Sequence, residues 1–181
     1  MPSFNMPSFN IPSLKSLLQS WPWYSLALAI ILLDQLTKSV VNQALSLYEI
    51  ISLTPFFEIT LRYNTGAAFS FLAGAGGWQR WFLASVSTIV SLIILLWIAR
   101  LDRSRKVELW ALAFILGGAI GNLYDRIAHG YVVDFILVHW PIRDFPAFNI
   151  ADSAISIGAA LLVFDALLLE PKRRKHAANA N

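Results

Sequence analysis

Residues 82–99 have the sequence FLASVSTIVSLIILLWIA, eighteen consecutive residues without a charged side chain. A helix rises about 1.5 Å per residue, so this run approaches the roughly 20 residues that cross the hydrocarbon core of a bilayer. The rest of the chain has the same character, since 57% of its 181 residues are hydrophobic and only 14% are charged. A soluble domain carries about a quarter charged residues. The sequence therefore predicts an integral membrane protein.

Three further segments are apolar enough to span the membrane. The four predicted helices cover about 21–41, 78–100, 107–124 and 149–169. The third helix contains Gly117 and Gly121, at the four-residue spacing that lets transmembrane helices approach closely. Ala154 and Gly158 repeat this spacing in the fourth helix. We predict one four-helix domain over residues 21–170.

The first twenty residues begin with the pentapeptide MPSFN, which occurs twice and is followed by Ile-Pro-Ser. This density of proline and serine favours a loose tail over residues 1–20. A cleaved signal peptide is the alternative, with Lys15 as its basic start and Ala-Leu-Ala at 27–29 as its cleavage site. The apolar stretch continues past that site, which favours a retained first helix.

The distribution of basic residues predicts the orientation. Lys15, the cluster in 100–106 and the basic tail 171–181 fall on one side of a four-span protein, and short basic loops stay in the cytoplasm. Both termini are therefore predicted to be cytoplasmic. All seven tryptophans lie near predicted span ends or in an outer loop, as in an aromatic belt. The flanking apolar segments favour this interpretation over nucleic-acid binding by the basic clusters, so we expect no nucleic-acid partner.

The predicted outer segments contain two extended stretches. Apolar and polar residues alternate from 57 to 64, the period of a half-buried strand, and Asn-Thr-Gly at 64–66 predicts a turn. The stretch GYVVDFILVHW, which starts at Gly130, also has extended character. The predicted fold class is an all-α integral membrane protein with four transmembrane helices and a small extracytoplasmic β-sheet.

Four separate parts of the chain bring polar side chains to the outer layer of the predicted bundle. They are Asp34 and Lys38 in the first span, Asn122, Asp125 and Arg126 at the end of the third, Asp134 in the loop, and Asn149 and Asp152 at the start of the fourth. Ionisable groups near hydrocarbon are costly and usually have a partner or a function. The sequence therefore predicts a site at this depth.

Structural roles are the alternative for several of these residues. Asp34 and Lys38 are four residues apart and can form an ion pair that ties helices together. Asn149 and Asp152 both suit a helix N-terminus. For Arg126, the alternative role is to anchor the end of its helix at the membrane interface.

Metal chemistry is not expected. The chain has no cysteine, and His129 and His139 do not form a recognisable zinc motif. Asp165 lies roughly 20 Å deeper than Asp152, beside the basic tail, and is predicted to be structural.

Asp134 and Asp152 suggest a chemistry if the fold brings them together. Repulsion and partial burial would keep one carboxyl protonated while the other ionises. The charged one can take a proton from a water that attacks a carbonyl carbon, while the neutral one donates a hydrogen bond to the carbonyl oxygen. Spacing alone does not show that the two converge, so peptide hydrolysis stays a hypothesis at this point.

Five short blocks are more specific. They are DQLTK at 34–38, NTGAAFS at 64–70, GGAIGNLYDR at 117–126, YVVDF at 131–135 and FNIADSAI at 148–155. In this order they resemble the lipoprotein signal peptidase family, also called signal peptidase II. The resemblance implies an aspartic peptidase of the bacterial cytoplasmic (inner) membrane, without a cofactor, whose site lies near the outer face. Such enzymes cut prolipoproteins just before a cysteine that carries diacylglyceryl.

The block match also implies roles for individual residues. Asp134 and Asp152 correspond to the catalytic pair of the family. Substrate-binding or supporting positions fall on Asn64, Gly66, Asn122, Arg126, Asn149 and the pair Asp34 and Lys38, to which we add Asp125. The expected partners are the lipidated prolipoprotein and membrane lipid, and we expect a monomer.

Three other function classes were weighed against this one. An ion-coupled transporter would also contain intramembrane carboxylates, but near the midplane and with an inverted repeat or broken helices. A Ser–Lys peptidase using Lys38 would need Ser39, whose side chain diverges from its neighbour on the helix. A purely structural membrane protein leaves the outer polar layer unexplained.

Overall fold

The structure is a computed structural model that describes residues 12–66, 76–139 and 145–179. The MPSFN repeat, most of the NTGAAFS block and Trp140 lie outside the described residues. The elements are α1 (Leu14–Gln19), α2 (Trp21–Ala44), β1 (Ile50–Thr54), β2 (Phe57–Asn64), α3 (Trp78–Arg100), α4 (Lys106–Ala128), β3 (Val132–Val138), α5 (Ile150–Phe164), a π-helical turn (Asp165–Leu169) and α6 (Glu170–Asn179).

Four helices of the described chain are long and apolar enough to cross a membrane, which confirms the predicted fold class. They are Trp21–Ala44, Trp78–Arg100, Lys106–Ala128 and the continuous helix Ile150–Arg173. Large apolar side chains such as Leu32, Leu36 and Ile89 are exposed on their outer surfaces. Such an apolar exterior suits helices whose surroundings are lipid rather than water.

The third span ends later than predicted. Asp125 and Arg126 were expected just beyond it, but α4 continues to Ala128. The guanidinium of Arg80 donates hydrogen bonds to the carbonyl oxygens of Arg126 (2.8 Å) and Ile127 (2.7 Å). These bonds satisfy carbonyl groups that the end of a helix leaves without partners, so α4 keeps an additional turn.

The prediction of a loose N-terminal tail was wrong for its last residues. Residues Leu14–Gln19 form α1, whose first turn is capped by the Ser13 hydroxyl. The Ser16 hydroxyl donates to the carbonyl oxygen of Ala99 (2.6 Å), and Arg103 donates to the Ser20 hydroxyl (2.7 Å). These contacts with the α3–α4 connection hold α1 against the bundle.

α4 lies in the middle of the bundle and packs against α2, α3 and α5. Its glycines allow this, as the small-residue spacing predicted. A β-carbon built on Gly117 would come 2.9 Å from the Ala27 carbonyl oxygen of α2, and one on Gly118 would come 2.3 Å from the Ala151 carbonyl oxygen of α5. Gly158 of α5 is equally close to α4. The helices meet backbone to backbone, which places the residues at their outer ends within reach of each other.

The three strands form an antiparallel sheet in the order β1-β2-β3. β2 and β3 were predicted, whereas β1 was not, because its sequence IISLT is short and alternates between apolar and polar residues only from Ile51 to Thr54. On one face of the sheet, Leu61 and Val133 pack against Leu45, just beyond the end of α2. The opposite face carries Asn64 and Asp134 toward the bundle.

The other end of the bundle holds a separate ionic cluster around Asp165, which is 3% exposed. Its carboxylate pairs with Arg173 and lies 3.8 Å from a terminal nitrogen of Arg105. Arg105 in turn pairs with Glu108 and Glu170. The cluster ties α4 to the continuous α5–α6 helix, in agreement with the structural role predicted for Asp165.

Candidate active site

A buried ionic cluster joins α2 to α4. The ammonium nitrogen of Lys38 lies 2.7 Å from a carboxylate oxygen of Asp34 and 2.9 Å from one of Asp125. All three side chains are no more than 4% exposed. The predicted Asp34–Lys38 ion pair is therefore confirmed, with Asp125 as a second carboxylate on the same cation.

Asn122 connects this cluster to Asp152. The Lys38 ammonium donates to Oδ1 of Asn122 (3.0 Å), which fixes the orientation of the amide. The Nδ2 group of Asn122 then points the other way and donates to Oδ1 of Asp152 (2.7 Å). Lys38 thus orients a donor toward Asp152 without contacting that carboxylate itself.

Asn149 connects the two aspartates. It is the N-cap of α5, where its Oδ1 accepts a hydrogen bond from the backbone N–H of Asp152 (2.9 Å). Its Nδ2 donates to Oδ1 of Asp134 (2.7 Å), and Asn64 donates to the other carboxylate oxygen of Asp134 (3.0 Å). The capping role weighed for Asn149 is therefore present, and the same amide brings the start of α5 to β3.

Asp134 is 3% exposed, in a strand outside the membrane-spanning helices. Burial, followed by the nearby charge of Asp152, raises the pKa of Asp134 to about 7. The hydrogen bonds from Asn64 and Asn149 oppose this shift without cancelling it. The carboxyl of Asp134 is therefore poised to hold a proton near neutral pH, beside a second carboxylate.

Arg126 closes the site on the side of the Asn64 turn. Its guanidinium donates to the carbonyl oxygens of Asn122 (3.3 Å) and Gly66 (3.2 Å). The backbone N–H of Gly66 donates to Oδ1 of Asn64 (2.9 Å), which fixes the predicted turn after β2. Arg126 therefore does more than anchor the helix at an interface, because it holds the turn that carries Asn64.

Gln35 is a residue of the cluster that the sequence analysis missed. Its amide nitrogen donates to the carboxylates of Asp34 (3.1 Å) and Asp125 (2.9 Å) and to the carbonyl oxygen of Gly121 (3.2 Å). Asp34 also accepts from the backbone N–H of Ala151 (2.9 Å), which ties α2 to the first turn of α5. The only signal was its place inside the DQLTK block, since a glutamine beside a buried carboxylate has no distinctive spacing.

A cavity of about 1040 Å³ opens beside the two aspartates. Its polar end includes Asn64, Asn122, Arg126, Asp134 and Asp152. Its apolar part is lined by side chains of the three neighbouring helices, among them Val86, Val90, Ile115, Ala119, Ile155 and Ile157. An elongated apolar ligand with one polar segment near its end matches this lining.

The structure brings all the predicted site residues into this one network, although no two of the five contributing chain segments are adjacent in sequence. Within the described ranges, no group of three His, Cys, Asp or Glu side chains is arranged to hold a metal ion. The chemistry that the arrangement offers is that of paired carboxyl groups, one of them protonated near neutral pH.

Comparison with known proteins places this geometry in a family. The family model described as signal peptidase (SPase) II matches residues 26–168. A lipoprotein signal peptidase of Teredinibacter turnerae is 56% identical over 152 residues, which cover 84% of this chain and 90% of that relative. The lipoprotein signal peptidase of Cellvibrio japonicus is 53% identical over 155 residues, covering 86% of this chain and 91% of the relative.

The fold has also been seen before. A solved structure described as a bacterial membrane enzyme superposes with a TM-score of 0.75, at 29% sequence identity, over 84% of this chain and 90% of that one. The family match covers the four membrane helices and the sheet between them. This chain belongs to the signal peptidase II family.

Proposed function

We propose that the protein removes the signal peptide from prolipoproteins by using Asp134 and Asp152 to activate water, and that it cuts just before the diacylglyceryl-modified cysteine. Membership of the signal peptidase II family makes the chain a peptidase and a multi-pass protein of the bacterial inner membrane. The observation that carries the aspartic mechanism is the contact of Asn149 with both aspartates at the polar end of the cavity, where its amide donates to the Asp134 carboxyl group and accepts from the backbone N–H of Asp152.

In the proposed reaction, Asp152 is the base and Asp134 carries the proton. Asp152 takes a proton from water while the water oxygen attacks the scissile carbonyl carbon. Asp134 donates a hydrogen bond to the carbonyl oxygen, where negative charge develops. When the carbon–nitrogen bond breaks, the amine leaving group takes the proton from Asp152, which restores the starting charges.

The alternative use of Lys38 as a general base conflicts with its surroundings. Its ammonium group contacts two carboxylates and the Asn122 amide, and its side chain is 4% exposed. A lysine base must reach the attacking group, whereas the contacts of this nitrogen are all made with Asp34, Asp125 and Asn122. A Ser–Lys mechanism is therefore not proposed.

The proposed orientation places both termini in the cytoplasm and the aspartates near the outer face. It rests on the basic residues of 100–106 and 172–175, which occupy the end of the bundle opposite the sheet. We further propose that the protein acts as a monomer surrounded by lipid, because one chain supplies both aspartates and the residues that bind them.

The first test is cleavage of a synthetic prolipoprotein peptide by the purified protein in detergent, with and without the diacylglyceryl group on its cysteine. We expect cleavage before the cysteine only in the lipidated peptide, because the acyl chains hold the bond at the depth of the aspartates. Mass spectrometry of the products locates the cut. Equal cleavage of both peptides would overturn the proposed lipid dependence, and no cleavage by folded protein would overturn the proposed activity.

The pH profile gives a second prediction. Since the pKa of Asp134 is raised to about 7, its proton is present below that pH and is lost above it. We expect kcat/KM for the lipidated peptide to fall about tenfold per pH unit above the apparent pKa of the pair, near 7. Samples held at each pH and then assayed at pH 7 control for unfolding. A rate that still rises between pH 8 and 9 would contradict a proton carried by Asp134.

A further inference from the structure

Arg62 lies beside the aspartates and has no role in the proposed mechanism. The ladder between β2 and β3 pairs Arg62 with Asp134, just after an irregularity that follows Ile59. Directly opposed residues of antiparallel strands project from the same face, with β-carbons about 4.5–5.5 Å apart. Arg62 therefore shares the cavity face of the sheet with Asn64 and Asp134, and it lines the cavity.

The guanidinium of Arg62 has no carboxylate partner among the described residues. Its Nε is buried without a hydrogen-bond partner, and its central carbon lies 5.7 Å from the ring centre of Tyr48. No ion pair joins it to Asp134 either, whose carboxylate oxygens accept from Asn149 and Asn64. A charged donor with a buried, unpaired N–H is costly until a ligand supplies an acceptor.

Arg126, the other arginine that lines the cavity, already has hydrogen-bond acceptors for its guanidinium. Its guanidinium already donates to the carbonyl oxygens of Asn122 and Gly66. Arg62 is thus the cavity cation of the described chain that is available to a substrate, and its guanidinium lies over the ring of Tyr48.

The position of Arg62 indicates which part of a substrate reaches it. Most of the valine and isoleucine side chains of the lining come from α3, α4 and α5, where an apolar signal segment would lie. Arg62 and Tyr48 line the opposite, sheet side of the cavity. With the signal segment between the helices, the chain after the cleaved bond continues toward this side. An extended peptide advances about 3.3 Å per residue, so the first or second residue after the bond lies near a side chain opposite Asp134.

We infer that Arg62 is a specificity-determining residue that binds an acidic side chain on the residue following the lipidated cysteine. A guanidinium offers paired N–H donors that match a carboxylate, and such charge-assisted bonds are stronger than neutral ones. A lysine at the same substrate position would meet a like charge instead. The inference rests on the proposed function, since it assumes that the cysteine-containing bond lies at Asp134 and Asp152.

The test uses three diacylglyceryl peptides that are identical except for aspartate, asparagine or lysine after the cysteine. For the wild-type protein we expect kcat/KM to be about tenfold higher with aspartate than with lysine. Arg62→Gln should bring the aspartate-to-lysine ratio close to one, and Arg62→Glu should invert the preference. Lys106→Gln removes the same charge from an exposed position at the other end of the bundle and should keep the wild-type ratio.

Several results would overturn the inference. If the wild-type kcat/KM values for the three peptides agree within a factor of two, Arg62 does not select the residue after the cysteine. An Arg62→Gln variant that keeps the full preference would assign the selection to another group. An effect of Arg62→Gln that is equal for all three peptides and requires anionic lipid would indicate a lipid phosphate as the ligand. If the wild-type protein cleaves none of the peptides, the proposed function fails, whereas cleavage without preference overturns only the role of Arg62.

Discussion

Replacing either Asp134 or Asp152 with asparagine is expected to lower kcat for the lipidated peptide by roughly 10³-fold. An amide cannot take a proton from water or hold one for the carbonyl oxygen, although it has almost the same shape as the carboxyl group. The measurement is single-turnover cleavage by purified variants whose thermal unfolding has been checked in the same detergent.

The two variants should differ in stability. Asp134 accepts a hydrogen bond on each oxygen, from Asn149 and from Asn64. An asparagine there turns its own NH₂ group toward one of these donors, so Asp134→Asn should unfold at a lower temperature than the wild type. Asp152→Asn keeps an oxygen for the Asn122 donor and should be closer to the wild type.

Asp102→Asn is the matched control, because Asp102 lies in an exposed connection at the other end of the bundle, where it accepts from the backbone N–H of Ser104. Its activity should equal that of the wild type. If Asp134→Asn or Asp152→Asn retained more than about a tenth of the wild-type rate, the aspartate mechanism would be wrong, because loss of a general acid or base costs at least about 10²-fold.

The largest effect on stability is expected for Lys38→Met. The change leaves the carboxylates of Asp34 and Asp125 buried without their cation. Removing one partner of a buried ion pair typically costs about 3–5 kcal/mol, far more than an exposed pair contributes. We expect a large decrease of the unfolding temperature in detergent, measured by intrinsic tryptophan fluorescence or calorimetry.

Lys38→Met should also reduce cleavage at temperatures where the variant is still folded. The Lys38 ammonium orients the amide of Asn122. Without it only the longer bond from Asn149 (3.3 Å) holds the amide oxygen against a turn of the NH₂ group toward Asp34 and Asp125. Asp152 would then lose its donor. Lys172→Met, at an exposed position of α6, is the control and should leave unfolding temperature and rate unchanged. An unfolding temperature within about a degree of the wild type would contradict a structural role of the Lys38 cluster.

Some features of the fold could be predicted because they depend on local composition. The charge-free run at 82–99 and the glycine spacing in α4 reflect the hydrocarbon thickness and the need for close helix contacts. The strand at 57–64 was predictable from its alternation over eight residues, whereas β1 was not, since the alternation in IISLT covers only four. The extra turn of α4 was missed because it depends on Arg80, which is distant in sequence.

The candidate site shows the same division between features set by local composition and features set by distant residues. Its polar residues could be predicted, because ionisable groups are rare and costly in apolar segments and therefore conspicuous. Gln35 and Arg62 were missed because neither stands out in the local sequence. A neutral amide often follows a carboxylate, and a cation is common at the polar positions of an alternating strand. Their importance comes from partners that α4 and β3 supply.

The sequence by itself determined that the chain crosses the membrane four times, where its polar layer lies, and which family its motif blocks resemble. Only the tertiary structure decided that Asn149 donates to Asp134 while Asn122 donates to Asp152, and that Lys38 orients Asn122. The physical reason is the sequence distance over which each kind of interaction acts. Hydrophobicity and helix spacing act over a few neighbouring residues, whereas hydrogen-bond direction and burial depend on groups brought together from distant parts of the chain.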